Sequence, residues 1–95
     1  MASKIRRAPA EKLRQDRMYY VYILKCNDDT HYTGCTNDIE DRIRRHYCGE
    51  IKYTKTRLPF QLMFYASFPD EYKAYEFEKY LKTGSGRAFT KRHLL

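Results

Sequence analysis

Tyr20-Val21-Tyr22 and Tyr32-Thr33-Gly34 lie on two short strand-like runs, and Arg42 and Glu78 each fall inside the apolar stripe of a predicted helix. Phenols, a guanidinium and a carboxylate aimed inward are costly to bury unless they converge on a charged ligand. A phosphodiester with a divalent metal ion would satisfy them all. Arg42 offers a planar fork of donors matched to phosphate. One carboxylate, Glu78, with waters and substrate oxygens is an ordinary Mg2+ arrangement; the alternative is an ion pair between Glu78 and Arg42. Tyr22 and Tyr32 supply hydroxyls from adjacent strands. A tyrosine titrates near about 10 and is a poor base at neutral pH, but Arg42 and a metal-bound water nearby would favour its ionised form. It could then take a proton from an attacking water while the metal stabilises the leaving oxygen. His46, one turn beyond Arg42, either orients such a group, contacts the phosphate, or is a packed and hydrogen-bonded core residue.

The elements that must hold these groups are legible from pattern. Residues 19–25 are β-branched and aromatic and predict a strand; Asn27-Asp28-Asp29 form a turn, and residues 31–35 return as the second strand of a hairpin. Tyr20, Tyr22 and Leu24 share one face. Gly34 leaves room for close approach. A helix follows, with Asn37 as the cap and Glu40 three residues on, and Gly49 stops it. Its stripe is Ile39, Ile43 and Tyr47, with Arg42 and His46 inside it; Glu40 with Arg44 and Asp41 with Arg45 pair outside it. Residues 50–59 read as a loop. There Lys52, Tyr53, Lys55 and Arg57 interleave cations with an aromatic ring, a pattern that grips phosphates and stacks on a base and is equally that of a plain solvated loop. Residues 60–68 alternate, with Phe60, Leu62, Phe64, Ala66 and Phe68 facing inward. Pro69-Asp70 opens a helix to about Thr83 with the stripe Ala74, Phe77 and Leu81, and Ser85 caps a last helix from Gly86 to Leu95. Gly84-Ser85-Gly86 lacks the spacing of a phosphate loop. The order β-β-α-β-α-α predicts an α+β domain with a small antiparallel sheet flanked by helices.

The 95-residue chain is long enough for one small domain. Ten Tyr, five Phe and no Trp fill the core with rings that keep a polar tip. The net charge of +7 points to a polyanionic partner, but more than half of the excess lies in residues 1–17, a basic N-terminal extension with a potential short helix at 10–15. The domain at 18–95 is only mildly basic, so a nucleic-acid site must be a local patch. Cys26, Cys35 and Cys48 have no CxxC spacing, and no secretory segment is legible. Free thiols in a reducing cytoplasm are expected, and zinc is disfavoured. No run is apolar enough for a membrane span.

Together these residues resemble the GIY-YIG nuclease family, in particular its small stand-alone bacterial members. The match runs over residues 18–95: YVY, then Tyr32-Thr33-Gly34-Cys35-Thr36-Asn37-Asp38, Arg42, His46, Gly49, the stretch Glu78-Lys79-Tyr80-Leu81-Lys82-Thr83-Gly84, and Gly86-Arg87. The set is specific although each motif alone is weak. The resemblance implies a three-stranded antiparallel sheet flanked by helices and metal-dependent hydrolysis of a phosphodiester, with Mg2+ or Mn2+ as cofactor. By position it implies Tyr22 and Tyr32 as the motif tyrosines, Arg42 as the phosphate-stabilising arginine, His46 near the reacting phosphate and Glu78 as the metal ligand. Lys52, Tyr53, Lys55, Arg57 and Arg87 are the nucleic-acid contacts expected around them. Tyr20 replaces the first motif's glycine, and Thr33 the second motif's central residue. Cys35 stands where the excision-repair branch has lysine, and no Asn follows Glu78. The expected partner is nucleic acid, foremost DNA, with target choice supplied by a protein partner, by self-association or by the basic extension. A non-catalytic nucleic-acid-binding module on the same fold is the alternative, and a protein-interaction domain is a third reading.

Overall fold

A computed structural model describes residues 18–95, and the expectations for residues 1–17 lie outside the described residues. Strands β1 (Tyr19–Lys25), β2 (His31–Thr36) and β3 (Gln61–Phe68) form an antiparallel sheet in the order β2-β1-β3. Helices α1 (Ile39–Tyr47) and α2 (Lys52–Lys55) lie between β2 and β3, and α3 (Glu71–Leu81) and α4 (Gly84–His93) follow β3. The fold is the expected α+β domain.

The central strand is buried on both faces, because each face meets a different apolar cluster. Val21 and Ile23 pack with Ala74 and Leu81, joined by Phe64, Phe68, Phe77 and Leu94. Tyr22 and Leu24 pack on the other side with Phe60, joined by Tyr32, Ile39, Ile43 and Leu58. The α3 stripe of Ala74, Phe77 and Leu81 and the α1 pair Ile39 and Ile43 thus bury as their spacing predicts. They do so on opposite sides of the sheet.

Strand β3 departs from the simple alternation. Ile23 pairs with Phe64 but Leu24 pairs with Leu62, so the ladder slips at Met63. Such a bulge turns the residues on either side of it to opposite faces. Phe60 therefore packs with Tyr22, whereas Phe64 and Phe68 pack with Val21, and Leu62 is left 42% exposed. The inward set Phe60, Leu62, Phe64, Ala66 and Phe68 is corrected to two sets on two faces.

Helix termini also differ locally. Asp38, not Asn37, caps α1 by accepting from the Asp41 N–H at 3.1 Å, because the Thr36 hydroxyl already fixes the Asp38 N–H. Asp41 holds both Arg44 (2.8 Å) and Arg45 (2.9 Å), so Arg44 is taken from its expected partner Glu40. Gly49 ends the helix at φ +77°, a conformation that suits glycine. Asp70 caps α3. Thr83, not Ser85, caps α4, accepting from the Gly86 N–H. The stretch read as a loop contains the one-turn helix α2, whose Thr54 side chain points into the core.

Candidate active site

Register sets the first half of the site. Tyr22 pairs with Gly34 across the β1–β2 ladder, and Leu24 pairs with Tyr32. Both tyrosines therefore project from the same face, toward α1. The Tyr22 ring passes directly over Gly34, where a Cβ would lie 2.5 Å from the phenolic oxygen. Helix α1 brings His46 against both phenols. Its ring centroid is 4.9 Å from that of Tyr32 and 5.7 Å from that of Tyr22. The Tyr22 hydroxyl and His46 Nε2 share a hydrogen bond of 2.9 Å, and His46 Nδ1 and the Thr54 hydroxyl share one of 2.6 Å. Tyr22, His46 and Thr54 expose no surface.

Burial dominates the electrostatics of this cluster. It raises the Tyr22 pKa well above the usual value; the Arg42 guanidinium pulls the other way but is outweighed. Arg42 thus favours the ionised form, as expected, but without the metal-bound water of that expectation burial outweighs it, and Tyr22 is a neutral phenol across the physiological range. Burial and then Arg42 push His46 down from 6.5 to about 4, so the imidazole is neutral at pH 7. This has a measurable consequence. Between about pH 4 and pH 6.5 the unfolded chain binds a proton at His46 that the folded chain does not, so stability rises with pH across that window. Acidification through it is expected to cost roughly 3 kcal/mol from this residue. Urea unfolding across the window should show the slope, and His46→Gln should flatten it; an unchanged slope in the variant would assign the acid sensitivity elsewhere.

The second half of the site is a groove of about 600 Å3 bordered by Arg42 from α1, Cys35, Thr36 and Asn37 at the end of β2, and Glu71 and Glu78 from α3. Arg42 and Glu78 thus meet in one cavity, as expected, although their helices pack on opposite faces of the sheet. They do not form the ion pair weighed as an alternative. Glu78 instead bonds Lys82 Nζ at 3.0 Å, with its own side chain 16% exposed. Neither Tyr22 nor Tyr32 borders the groove. Arg42 is the connection, since it lines the groove and stands close enough to Tyr22 to shift its ionisation. The Cys35 thiol is pushed up by burial and then by Glu78 and Glu71, so it stays protonated.

The donors around the groove suit a hard cation. They are the carboxylates of Glu78 and Glu71, with the amide of Asn37 and the hydroxyl of Thr36 nearby. Among the described residues no cluster of three or more His, Cys, Asp or Glu side chains is poised to enclose a metal. One or two carboxylates completed by water and substrate oxygens is the usual Mg2+ pattern.

The expected nucleic-acid contacts separate. Lys52, Tyr53 and Lys55 are exposed on α2, and the Tyr53 ring lies 5.5 Å from that of Tyr32. Arg57 is committed to the loop itself. Its guanidinium bonds Asp28 at 3.0 Å and the Tyr53 carbonyl at 2.6 Å, and it lies 4.1 Å from the Tyr53 ring centroid. Arg87 is exposed on α4 and borders a second, broader groove with Lys25, Lys82 and Lys91, which Tyr32 and Tyr53 also reach.

Sequence reasoning missed Thr54, Glu71 and Lys82. Lys82 was findable, four residues beyond Glu78 in the favourable order. Glu71 was findable too, two helical turns before Glu78 on the same face. A threonine between two exposed loop residues gave no signal.

The family of the GIY-YIG catalytic domain matches residues 18–92. UPF0213 protein CPE1444 of Clostridium perfringens is 46% identical over 67 residues, 68% of this chain and 71% of that protein. UPF0213 protein YazA of Bacillus subtilis is 40% identical over 65 residues, 67% and 66% of the two chains. The solution NMR structure of UPF0213 protein BH0048 from Bacillus halodurans superposes with a TM-score of 0.52 at 39% identity, covering 79% of this chain and 81% of that one.

Proposed function

Since the chain belongs to the GIY-YIG family, whose catalytic domains are endonucleases that use divalent metal ions, we propose that it hydrolyses DNA phosphodiester bonds with Mg2+ or Mn2+. Branched or damaged DNA of the kind met in repair and recombination is the proposed substrate, and the cytoplasm the proposed location. The observation that carries the reading is the double position of Arg42, which shares the carboxylate-lined groove with Glu78 and also bears electrostatically on the Tyr22 hydroxyl.

In this reading Glu78, with Glu71 beside it, holds the cation, which offsets charge on the leaving oxygen when bound. Arg42 grips the non-bridging oxygens of the scissile phosphate. Drawing its guanidinium toward the phosphate uncovers the Tyr22 hydroxyl, whose oxygen then accepts a hydrogen bond from the attacking water. His46 and Tyr32 hold that hydroxyl in place. Lys52, Lys55 and Arg87 contact phosphates along the strand, and Tyr53 stacks on a base; Arg57 acts by bracing Tyr53.

A second reading, a nucleic-acid-binding module without turnover, is favoured by one observation: Tyr22 exposes no surface in the unliganded chain. A substrate panel of duplex, single strand, flap, junction and RNA separates the two. With Mg2+ or Mn2+ at least one DNA structure should be cut, and a chelator should abolish cutting. Salt-dependent binding with no cutting of any substrate would select the binding module.

A further inference from the structure

We propose that Thr54 is a positioning residue that fixes the tautomer of His46, with the proton on Nδ1, so that Nε2 carries the lone pair that accepts the Tyr22 hydroxyl proton. The part of this that concerns cleavage rests on the nuclease reading above. The tautomer itself does not.

A neutral imidazole has one N–H and one lone pair, and its partners decide which nitrogen has which. Here both nitrogens face hydroxyls, Tyr22 on Nε2 at 2.9 Å and Thr54 on Nδ1 at 2.6 Å. Each hydroxyl can donate or accept, so the pair alone leaves two directions open. The group beyond Thr54 chooses between them. Beyond Thr54 lies the Ile51 carbonyl, 3.4 Å from the threonine oxygen. A carbonyl can only accept, so the threonine proton turns to it and the threonine oxygen is left to accept the Nδ1 proton. With Nδ1 protonated, Nε2 is bare, and the Tyr22 hydroxyl 2.9 Å away donates to it. The direction is therefore Tyr22 O–H to Nε2, Nδ1–H to Thr54, and Thr54 O–H to Ile51 C=O.

The groups facing His46 admit no competing partner. Tyr22, Tyr32 and Phe60 surround the ring with aromatic faces and edges. Arg42 is the charged group that bears on it, and its charge disfavours a second proton. The three hydrogen-bonded side chains are fully buried, so water does not compete for the orientation.

The direction matters because the lone pairs of the Tyr22 oxygen point away from His46 only while its proton is given to His46. They are then available, once Arg42 moves to a phosphate, to accept from the attacking water. With Thr54 gone, Nδ1–H would lose its acceptor in a dry interior, a costly state. The imidazole would relieve it by moving the proton to Nε2. Nε2–H would then occupy a phenol lone pair and swing the phenolic proton toward the incoming water.

Long-range proton–nitrogen NMR of the full chain at neutral pH, without substrate or metal, reads the tautomer directly. His46 is expected to show N–H character at Nδ1 and a bare Nε2. Thr54→Val, similar in shape but without the hydroxyl, should convert it to the Nε2–H form, and Thr54→Ser should retain the original one. In cleavage assays on whichever substrate the wild type cuts, Thr54→Val should lower kcat by roughly tenfold to a hundredfold with KM unchanged, and Thr54→Ser should restore it. A wild-type His46 protonated at Nε2, or a tautomer that Thr54→Val leaves unmoved, overturns the assignment. Should Thr54→Val not fold, the wild-type and Thr54→Ser spectra decide it. Full kcat in a Thr54→Val protein with the altered tautomer overturns its part in cleavage. Failure of the wild type to cut anything overturns the nuclease reading and leaves the tautomer result standing.

Discussion

Glu78→Gln should abolish metal-dependent cutting while leaving the fold and nucleic-acid binding intact. Glutamine preserves the shape of the side chain and removes the charge that a hard cation requires. A metal that contributes several kcal/mol to transition-state stabilisation is worth roughly a hundredfold or more in rate, so single-turnover cleavage should fall by at least that factor. The fold should be indifferent. The ion pair that the substitution breaks, with Lys82 at 3.0 Å, is half open to solvent on the lysine side, and such pairs contribute at most about 1 kcal/mol. Binding should be unchanged or slightly tighter, since a negative charge would have left the groove proposed to receive the polyanion. Cleavage, anisotropy and thermal melting on one preparation test all three. Cutting by Glu78→Gln at more than about a tenth of the wild-type rate would be incompatible with a metal held by that carboxylate. Glu71→Gln is the informative companion: Glu71 borders the same groove but lacks the tie to Lys82, and its loss should reduce metal affinity more than the rate at saturating metal.

Much of the positioning of these groups is legible in the sequence. The β1–β2 hairpin follows from β-branched and aromatic runs around a turn, and α1 and α3 follow from apolar stripes. Arg42, His46 and Glu78 stood out because each is polar inside such a stripe. What remained hidden depends on where elements meet in space. A bulge at Met63 leaves the apolar alternation of β3 unbroken as text while sending Phe60 and Phe64 to opposite faces. Burial of both faces of β1 separates the phenol cluster from the carboxylate of α3, which periodicity within single elements does not reveal. The pattern marked Tyr22 as inward-facing but did not show that it would be sealed and held neutral. Thr54 gave no local signal because its role exists only once a one-turn helix is folded under His46.

The second large effect is expected from the smallest side chain in the motif. Gly34→Ala should destabilise the chain and remove activity together, because one methyl would enter space that the Tyr22 ring already fills. The added Cβ would lie 2.5 Å from the phenolic oxygen, 2.6 Å from Cζ and 2.9 Å from Cε1, all shorter than ordinary carbon contacts. Gly34 sits opposite Tyr22 in the ladder, so the strands cannot spread without breaking their pairing, and the ring is packed among Leu24 and Phe60. Overpacking of a tight core costs roughly 1–3 kcal/mol, which urea unfolding would register. The ring must tilt to relieve it, and tilting carries the hydroxyl off His46 Nε2, which holds it at 2.9 Å. Tyr22→Phe makes the distinction sharper. It deletes the nearest of the three atoms but leaves the other two, so Gly34→Ala should destabilise the Tyr22→Phe background nearly as much as the parent. If Gly34→Ala cost nothing in either background, the glycine would be there for another reason than to admit the ring, and the placement of Tyr22 over β2 would have to be abandoned.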